Sequence, residues 1–342
     1  MAAGRHKKRR MRHIMKIFVT GVGGQLGHDV MNHLAGRGIE AVGSDIAPSY
    51  GGVADGTAVT AMPYVQLDIT DAAAVRKTIL DIHPDAVIHC AAWTAVDMAE
   101  DDDKVEKVRA INAGGTQNIA RVCREIDAKM MYISTDYVFD GQGTTPWDPD
   151  CKDYKAQNVY GQTKLEGELA VSGTLDKYFI VRIAWVFGKN GKNYIKTMLD
   201  LGKTHDALRV VDDQIGTPTY TYDLARLLCD MIVTDKYGYY HATNSELDTA
   251  QGEYTPEGTK TGYISWYDFT KEIFRQAAAL GHEEYLPEKT KVTPVTTAQY
   301  GLSRAVRPFN SRLDKSKLIK AGFQPLPVWP DAVARYLKEL GY

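Results

Sequence analysis

From Lys16 onward the chain alternates short, nearly unbroken apolar runs with longer segments in which apolar residues recur every three or four positions. The runs are KIFVT (16–20), AVGSD (41–45), YVQLDI (64–69), AVIHCAA (86–92) and MMYISTD (130–136). Between them, Leu26, Val30 and Leu34 mark one helix face that stops at Gly36 and Gly38. Val75, Ile79 and Ile82 mark a second over 71–82, and Val105, Val108, Ile111, Ile119 and Val122 a third over 104–126. Strands apolar on both faces, alternating with helices, cannot face water on either side. They predict an α/β fold with a doubly wound parallel sheet covered by helices.

The pattern continues through a helix near 160–171 and a strand YFIVRIAWVFG (178–188), then loosens. A helix near 193–202, a strand at 209–211, a helix near 221–233 and a strand at 238–243 are expected, followed by a long loop over 244–263. Ser265 with Asp268 three residues on predicts a capped helix start, and a last helix is expected near 329–340. The expected division is a dinucleotide-binding domain over 15–185 plus about 216–242, a smaller discontinuous α/β substrate domain over about 186–215 plus 243–320, and a C-terminal helical piece over 321–342.

TGVGGQLG (20–27) joins the first strand to the first helix, where a phosphate cradle has to sit. Gly21, Gly24 and Gly27 give the spacing G-x-x-G-x-x-G, with Gln25 and Leu26 inside the turn. The helix start offers N–H donors and partial positive charge to a pyrophosphate, which makes the sheet a Rossmann-type nucleotide site. Asp45, ending the second strand, is placed to accept from ribose hydroxyls. Asp68, ending the third and followed by Ile69, can reach an adenine amino group or serve the following turn.

Tyr160 and Lys164 stand four apart and share one helix face. A phenol with an ordinary pKa of about 10 needs a nearby positive charge to exchange protons at neutral pH, and Lys164 is placed to give it. The strand ending Ser134-Thr135-Asp136 opens on the same sheet edge as the glycine loop, which brings the Thr135 hydroxyl toward the tyrosine.

Composition excludes several functions. The 41 basic and 43 acidic residues give a formal charge of −2, no surplus for binding nucleic acid, and no apolar run approaches a membrane span. Residues 1–14 are expected to be a disordered basic extension. They carry Arg5, Lys7, Lys8, Arg9, Arg10 and Arg12 without the apolar stretch of an export signal, and without these charges the body stands at −8. Cys90, Cys123, Cys151 and Cys229 form no Cys-x-x-Cys pair and are expected to be reduced thiols in a cytoplasmic protein.

The glycine loop, STDYVF and YGQTK together resemble the extended short-chain dehydrogenases/reductases. More narrowly, CAAWTAVDMAE (90–100), STDYVFDG (134–141), YGQTKLEGE (160–168), VRIAWVFG (181–188), DDQIGTPTYTYDLA (212–225) and RPFNSRLDKSKL (307–318) resemble the dTDP-4-dehydrorhamnose reductases. The resemblance implies reduction of the C4 ketone of dTDP-4-dehydro-L-rhamnose, with Thr135, Tyr160 and Lys164 as the catalytic triad. It also implies Ala91, Ala92 and Thr94 along the cofactor, and Asp136, Trp185, Asn193, Gln214 and Arg307 near the dTDP-sugar. Other nucleotide-sugar reductases or epimerases share this frame, and so does the non-catalytic regulatory subunit of methionine adenosyltransferase. NADH is the expected cofactor with NADPH as the alternative, because Asp45 repels a 2′-phosphate and no Lys or Arg lies between Arg37 and Arg76. Two departures from the family stand out: the 46–63 link is long, and Asp29 replaces a glutamate tied in some members to a magnesium-linked dimer. Neither a metal site nor that dimer is therefore predicted; a homodimer stands as a possible partner.

Overall fold

The computed structural model describes residues 15–247 and 254–342, so the basic segment 1–14 lies outside the described residues. Seven strands make one sheet: β1 Lys16–Thr20, β2 Glu40–Asp45, β3 Tyr64–Gln66, β4 Ala86–His89, β5 Lys129–Thr135, β6 Tyr178–Ile183 and β7 Gly238–His241. Their spatial order is β7-β6-β5-β4-β1-β2-β3, and every neighbouring pair is parallel. Chain order reverses between β1 and β4, which opens a crevice beyond the carboxyl ends of these strands.

The alternation along each strand explains why both faces are covered. Ile17 and Val19 join one core with Ile88, Met131, Ile133 and Val181, while Phe18 joins the opposite core with Val87, Tyr132 and Ile180. Helices α1 Gln25–Gly36, α2 Ala72–Ile82, α3 Val105–Arg109, α4 Thr116–Glu125 and α5 Val159–Ser172 connect the strands. Asp71 caps α2 by accepting from the N–H groups of Ala73 and Ala74, and the helix stops at His83, whose φ is 49°. Helices α6 Tyr194–Gly202, α7 Thr221–Ile232, α8 Trp266–Ala279 and α9 Trp329–Glu339 follow. Of these, α7 packs on α1, while α6, α8 and α9 build a third core around Phe269, Ile273, Trp329 and Tyr336. The Ser265–Asp268 capping box at the start of α8 is formed in both directions.

Two expected elements are broken, and both breaks fall at the crevice. The run 178–188 is not one strand: β6 ends at Ile183, and Trp185 takes a φ of 52°, turning the chain away from the sheet. The helix expected over 104–126 is interrupted by a π-helical turn, Ala110–Gly115, between α3 and α4. Such a widened turn turns side chains out of helical register and is often functional. Part of the expected 244–263 loop is paired, with Leu247 bridging Gly262 and Tyr254 bridging Lys260; its stretch 248–253 lies outside the described residues. No helix among the described residues is long and apolar enough to cross a membrane.

Candidate active site

The crevice is a cleft of about 890 Å³ between the glycine loop, the ends of β1 to β6 and the start of α5. Gly21, Gly24, Gln25, Leu26 and Gly27 line one end, with Asp45, Asp68 and Ile69 beyond them. Ala91, Ala92 and Thr94 line the floor, and Thr135, Asp136, Tyr160, Lys164 and Trp185 the other end.

Gly21 sits at a φ of 74°, and a Cβ there would lie 2.6 Å from the Ala91 nitrogen, so only glycine lets the loop lie against the end of β4. Gly24 is the N-cap of α1, and no side chain caps that helix. Its first-turn N–H groups are left for an anion. Asp45 is fixed at the loop: its Oδ2 accepts from Gly23 N at 2.9 Å and its Oδ1 from Ile46 N at 2.8 Å. The long link does not turn it away. Instead, Tyr50 of the link hydrogen-bonds His28 at 2.5 Å and receives a bond from Asn190, which also takes the Val53 N–H and donates to the Gly23 carbonyl. Asp68 serves its own turn, with Oδ1 accepting from the backbone and hydroxyl of Thr70 at 2.9 and 2.7 Å.

At the other end, α5 starts on Asn158, whose Oδ1 takes the Gly161 N–H at 2.7 Å. A Cβ on Gly161 would lie 2.4 Å from the Tyr137 carbonyl, so this glycine lets α5 approach the end of β5 and sets Tyr160 beside Thr135. Thr135 donates to Asp136 Oδ1 at 3.1 Å and accepts from Tyr137 N at 3.2 Å. Burial raises the Tyr160 phenol well above its ordinary value, opposed by a hydrogen bond with Thr135. Burial lowers Lys164 to about 7, opposed by Glu168 and Cys90. The lysine ammonium lies 4.0 Å above the Tyr132 ring. Sequence reasoning expected Lys164 to depress the tyrosine; burial acts on the phenol in the opposite direction.

Three expected substrate contacts do not line the cleft, because their polar groups are engaged elsewhere. Asn193 is the N-cap of α6 and donates to Gln25 Oε1, the Gly188 carbonyl and Tyr336 Oη. Gln214 is buried and donates to Thr297. Arg307 makes a bidentate pair with Asp97 at 2.8 and 2.9 Å. Trp185 does line the cleft and stacks on Trp266 with ring centroids 3.8 Å apart.

Two residues were missed. Asn112, in the π-turn, accepts from Trp93 N at 2.8 Å and donates to the Trp93 carbonyl and to Thr163, so it ties the cleft floor to α5. A signal existed: it is a polar residue four positions after Val108 on an otherwise apolar face. Lys192 lines the cleft beside the glycine loop, delivered by the segment after Phe187. Its neighbour Lys189 is paired with Asp55 at 2.6 Å.

Behind the loop, Asp29 is buried and accepts from the Thr221 hydroxyl at 2.5 Å. Burial raises its carboxyl to about 7, opposed by Thr221 and reinforced by Glu339. No cluster of ligating side chains that would hold a metal ion occurs among the described residues. Because the folded pKa lies above the unfolded value of about 4, the stability it contributes is complete below about pH 4 and is lost as pH rises through about 7. Asp29→Asn is expected to remove this loss. Thermal melts should show the variant gaining on the order of 1–3 kcal/mol relative to wild type at about pH 8, and little at about pH 4 or below. An equal destabilisation at both pH values would assign Asp29 a purely packing role.

Residues 15–342 match the family model described as the RmlD substrate binding domain. The chain is 37% identical over 322 residues to dTDP-4-dehydrorhamnose reductase from Streptomyces griseus, covering 92% of this chain and 90% of that one. Among solved structures, it resembles a dTDP-4-dehydrorhamnose reductase from Clostridium acetobutylicum with a TM-score of 0.79 and 37% identity, covering 96% of this chain and all of that chain. A dTDP-4-dehydrorhamnose reductase from Bacillus anthracis str. Ames, solved in complex with NADP, gives a TM-score of 0.76 and 33% identity over 95% and 99% of the two chains.

Proposed function

The chain belongs to the RmlD substrate binding domain family, and on that premise we propose that it is an NAD(P)H-dependent reductase acting on the C4 ketone of dTDP-4-dehydro-L-rhamnose to give dTDP-L-rhamnose. The observation that carries this reading is the convergence of a glycine loop, an uncapped helix start, Thr135, Tyr160 and Lys164 on one cleft. The cleft suits a dinucleotide: the free N–H groups of α1 would hold a pyrophosphate, the Asp45 carboxylate would take ribose hydroxyls, and Ala91 and Ala92 would line the cofactor.

A bound reduced nicotinamide supplies the hydride. Tyr160, protonated at neutral pH, gives its proton to the carbonyl oxygen as charge develops there. Thr135 donates to the same oxygen and orients it. Lys164, with its pKa lowered to about 7, exchanges its charge readily and is within the cleft to bond a ribose hydroxyl. Trp185 supplies an apolar wall for the sugar, and Arg307, on releasing Asp97, supplies charge to a diphosphate. The third core, built by α6, α8 and α9, is read as the substrate-binding part of the molecule. Four free cysteines fit a reducing compartment, the cytoplasm.

Consumption of NADH or NADPH by the purified protein, offered dTDP-4-dehydro-L-rhamnose, tests the reading. Turnover is expected, and its absence with both cofactors would overturn it.

NADH is the proposed preferred cofactor. Asp45 is held against the glycine loop by the Gly23 N–H, with its other oxygen taking the Ile46 N–H, and a 2′-phosphate there would meet its charge. Lys192 is the opposing cation. Wild type should show the higher kcat/KM with NADH, and Asp45→Ala should shrink the ratio at least about tenfold, the equivalent of roughly 1.4 kcal/mol. A wild-type preference for NADPH would contradict this assignment, and an unaltered ratio in Asp45→Ala would remove Asp45 from the explanation.

A further inference from the structure

Tyr160 is the second residue of α5, in a first turn whose N–H groups find no partners within the helix. Helix ends of this kind fray unless something outside holds them. The first turn of α5 contains no acid of its own, and its cap, Asn158, takes the Gly161 N–H. The Val159 N–H goes to Glu100 Oε1 at 2.8 Å, on a residue 59 positions upstream. The residues on either side of Tyr160 are thus each held through their N–H by a side-chain oxygen. Asn158 is fixed at its far end as well, where Nδ2 donates to the Val306 carbonyl at 2.7 Å.

Glu100 closes the segment that forms the cleft floor. Ala91, Ala92, Thr94 and Val96 line the cleft, and the short helical turn Met98–Glu100 then packs on α5. That turn is itself anchored: Ala99 is fully buried, and its N–H donates to the Ala95 carbonyl at 3.0 Å. Glu100 is outside the cleft lining, so it reaches the chemistry only through the backbone it holds. Resting on the reductase reading above, we propose that Glu100 is a positioning residue for Tyr160. By holding the Val159 N–H it sets the first turn of α5, and with it the phenol, against the floor along which the cofactor would lie. A proton donor acts only within about 2.6–3.2 Å of its target. A shift of about 1 Å in such a group can cost roughly 10²-fold in rate.

The Glu100 carboxylate offers both an acceptor oxygen and a negative charge that suits a helix start. The positioning role needs the acceptor, and two substitutions separate the properties. Glu100→Ala removes both, whereas Glu100→Gln keeps an acceptor oxygen on a side chain of the same length.

With reduced cofactor and dTDP-4-dehydro-L-rhamnose, Glu100→Ala should lower kcat at least about tenfold and leave KM for both within about twofold of wild type. Glu100→Gln should bring kcat back to within about threefold of wild type. An unchanged kcat in Glu100→Ala would overturn the proposal, and so would a loss expressed in KM alone. A Glu100→Gln enzyme as slow as Glu100→Ala would show that the charge acts and not the acceptor, which overturns it too. Amide hydrogen exchange of the wild-type protein, followed by NMR, is the second arm and needs neither turnover nor a folded variant. The Val159 and Gly161 amides should be protected at least about tenfold more than those of Gln25 and Leu26 in the first turn of α1, which no side chain caps. Equal protection in the two turns would overturn the held helix start. A wild-type protein inert toward the sugar nucleotide, yet protected at Val159, would fail the reductase reading while the hold of Glu100 on α5 stands.

Discussion

Tyr160→Phe is expected to lower reduction of the sugar nucleotide by roughly 10²–10⁴-fold, the usual worth of a positioned general acid. The change removes one hydroxyl and little volume. The ring packs edge-on against Tyr137 with centroids 5.6 Å apart, a contact phenylalanine retains. Cofactor affinity, followed by quenching of protein fluorescence on titration with NADH, should stay within about twofold of wild type, since the phenol is assigned to the substrate oxygen. Lys164→Met differs in kind, because it removes the group proposed to bond the ribose and so should weaken cofactor binding as well. A Tyr160→Phe enzyme with half the parent rate would assign the proton to another residue.

The largest effect on stability is expected at a pair that touches no substrate. Arg182 on β6 and Glu168 on α5 are both fully buried and joined through two hydrogen bonds of 2.8 and 2.7 Å. The guanidinium also donates to the Pro149 carbonyl at 3.1 Å and lies over the rings of Phe139 and Tyr239, each at 4.9 Å. Such a pair adds little net stability over an apolar replacement, but breaking it strands a charge in the core. Glu168→Leu should therefore cost about 3–5 kcal/mol in urea unfolding, and the double variant Glu168→Leu/Arg182→Leu should recover part of that loss. Glu168 follows Lys164 by one helical turn, so the pair also fixes the helix that carries the proton-transfer residues. Additive losses in the double variant would show that the pair is packing alone and not a charge balance.

The sheet was legible because burial on both faces keeps the middles of its strands largely apolar, as Ile17, Phe18 and Val19 illustrate with none of their surface exposed. The glycine loop and the Tyr160 to Lys164 helix were legible because their spacing is local. What sequence spacing could not carry was competition for a side chain. Asn193, Gln214 and Arg307 have the chemistry to bind a sugar nucleotide, but Tyr336, Thr297 and Asp97, each distant in sequence, engage them in this structure. The same limit applies to charge. Counting along the 46–63 link found no cation, whereas folding brings Lys189 to Asp55 of that link and Lys192 to the cleft beside the glycine loop. The π-turn at Ala110–Gly115 was hidden for a related reason: it depends on Asn112 bonding Trp93 and Thr163, partners supplied by other segments. Helical spacing likewise places Tyr160 and Lys164 on one face without specifying every neighbour each will meet, and Tyr132 lies under the lysine.

The most direct test follows the transferred atom. The purified protein would be incubated with dTDP-4-dehydro-L-rhamnose and a reduced nicotinamide cofactor deuterated at its C4, and the isolated sugar nucleotide examined by NMR. The account predicts dTDP-L-rhamnose carrying one deuterium at the sugar C4, formed by wild type and nearly absent with Tyr160→Phe. Recovery of the unreduced ketone from wild type, or deuterium at any other sugar carbon, would contradict it.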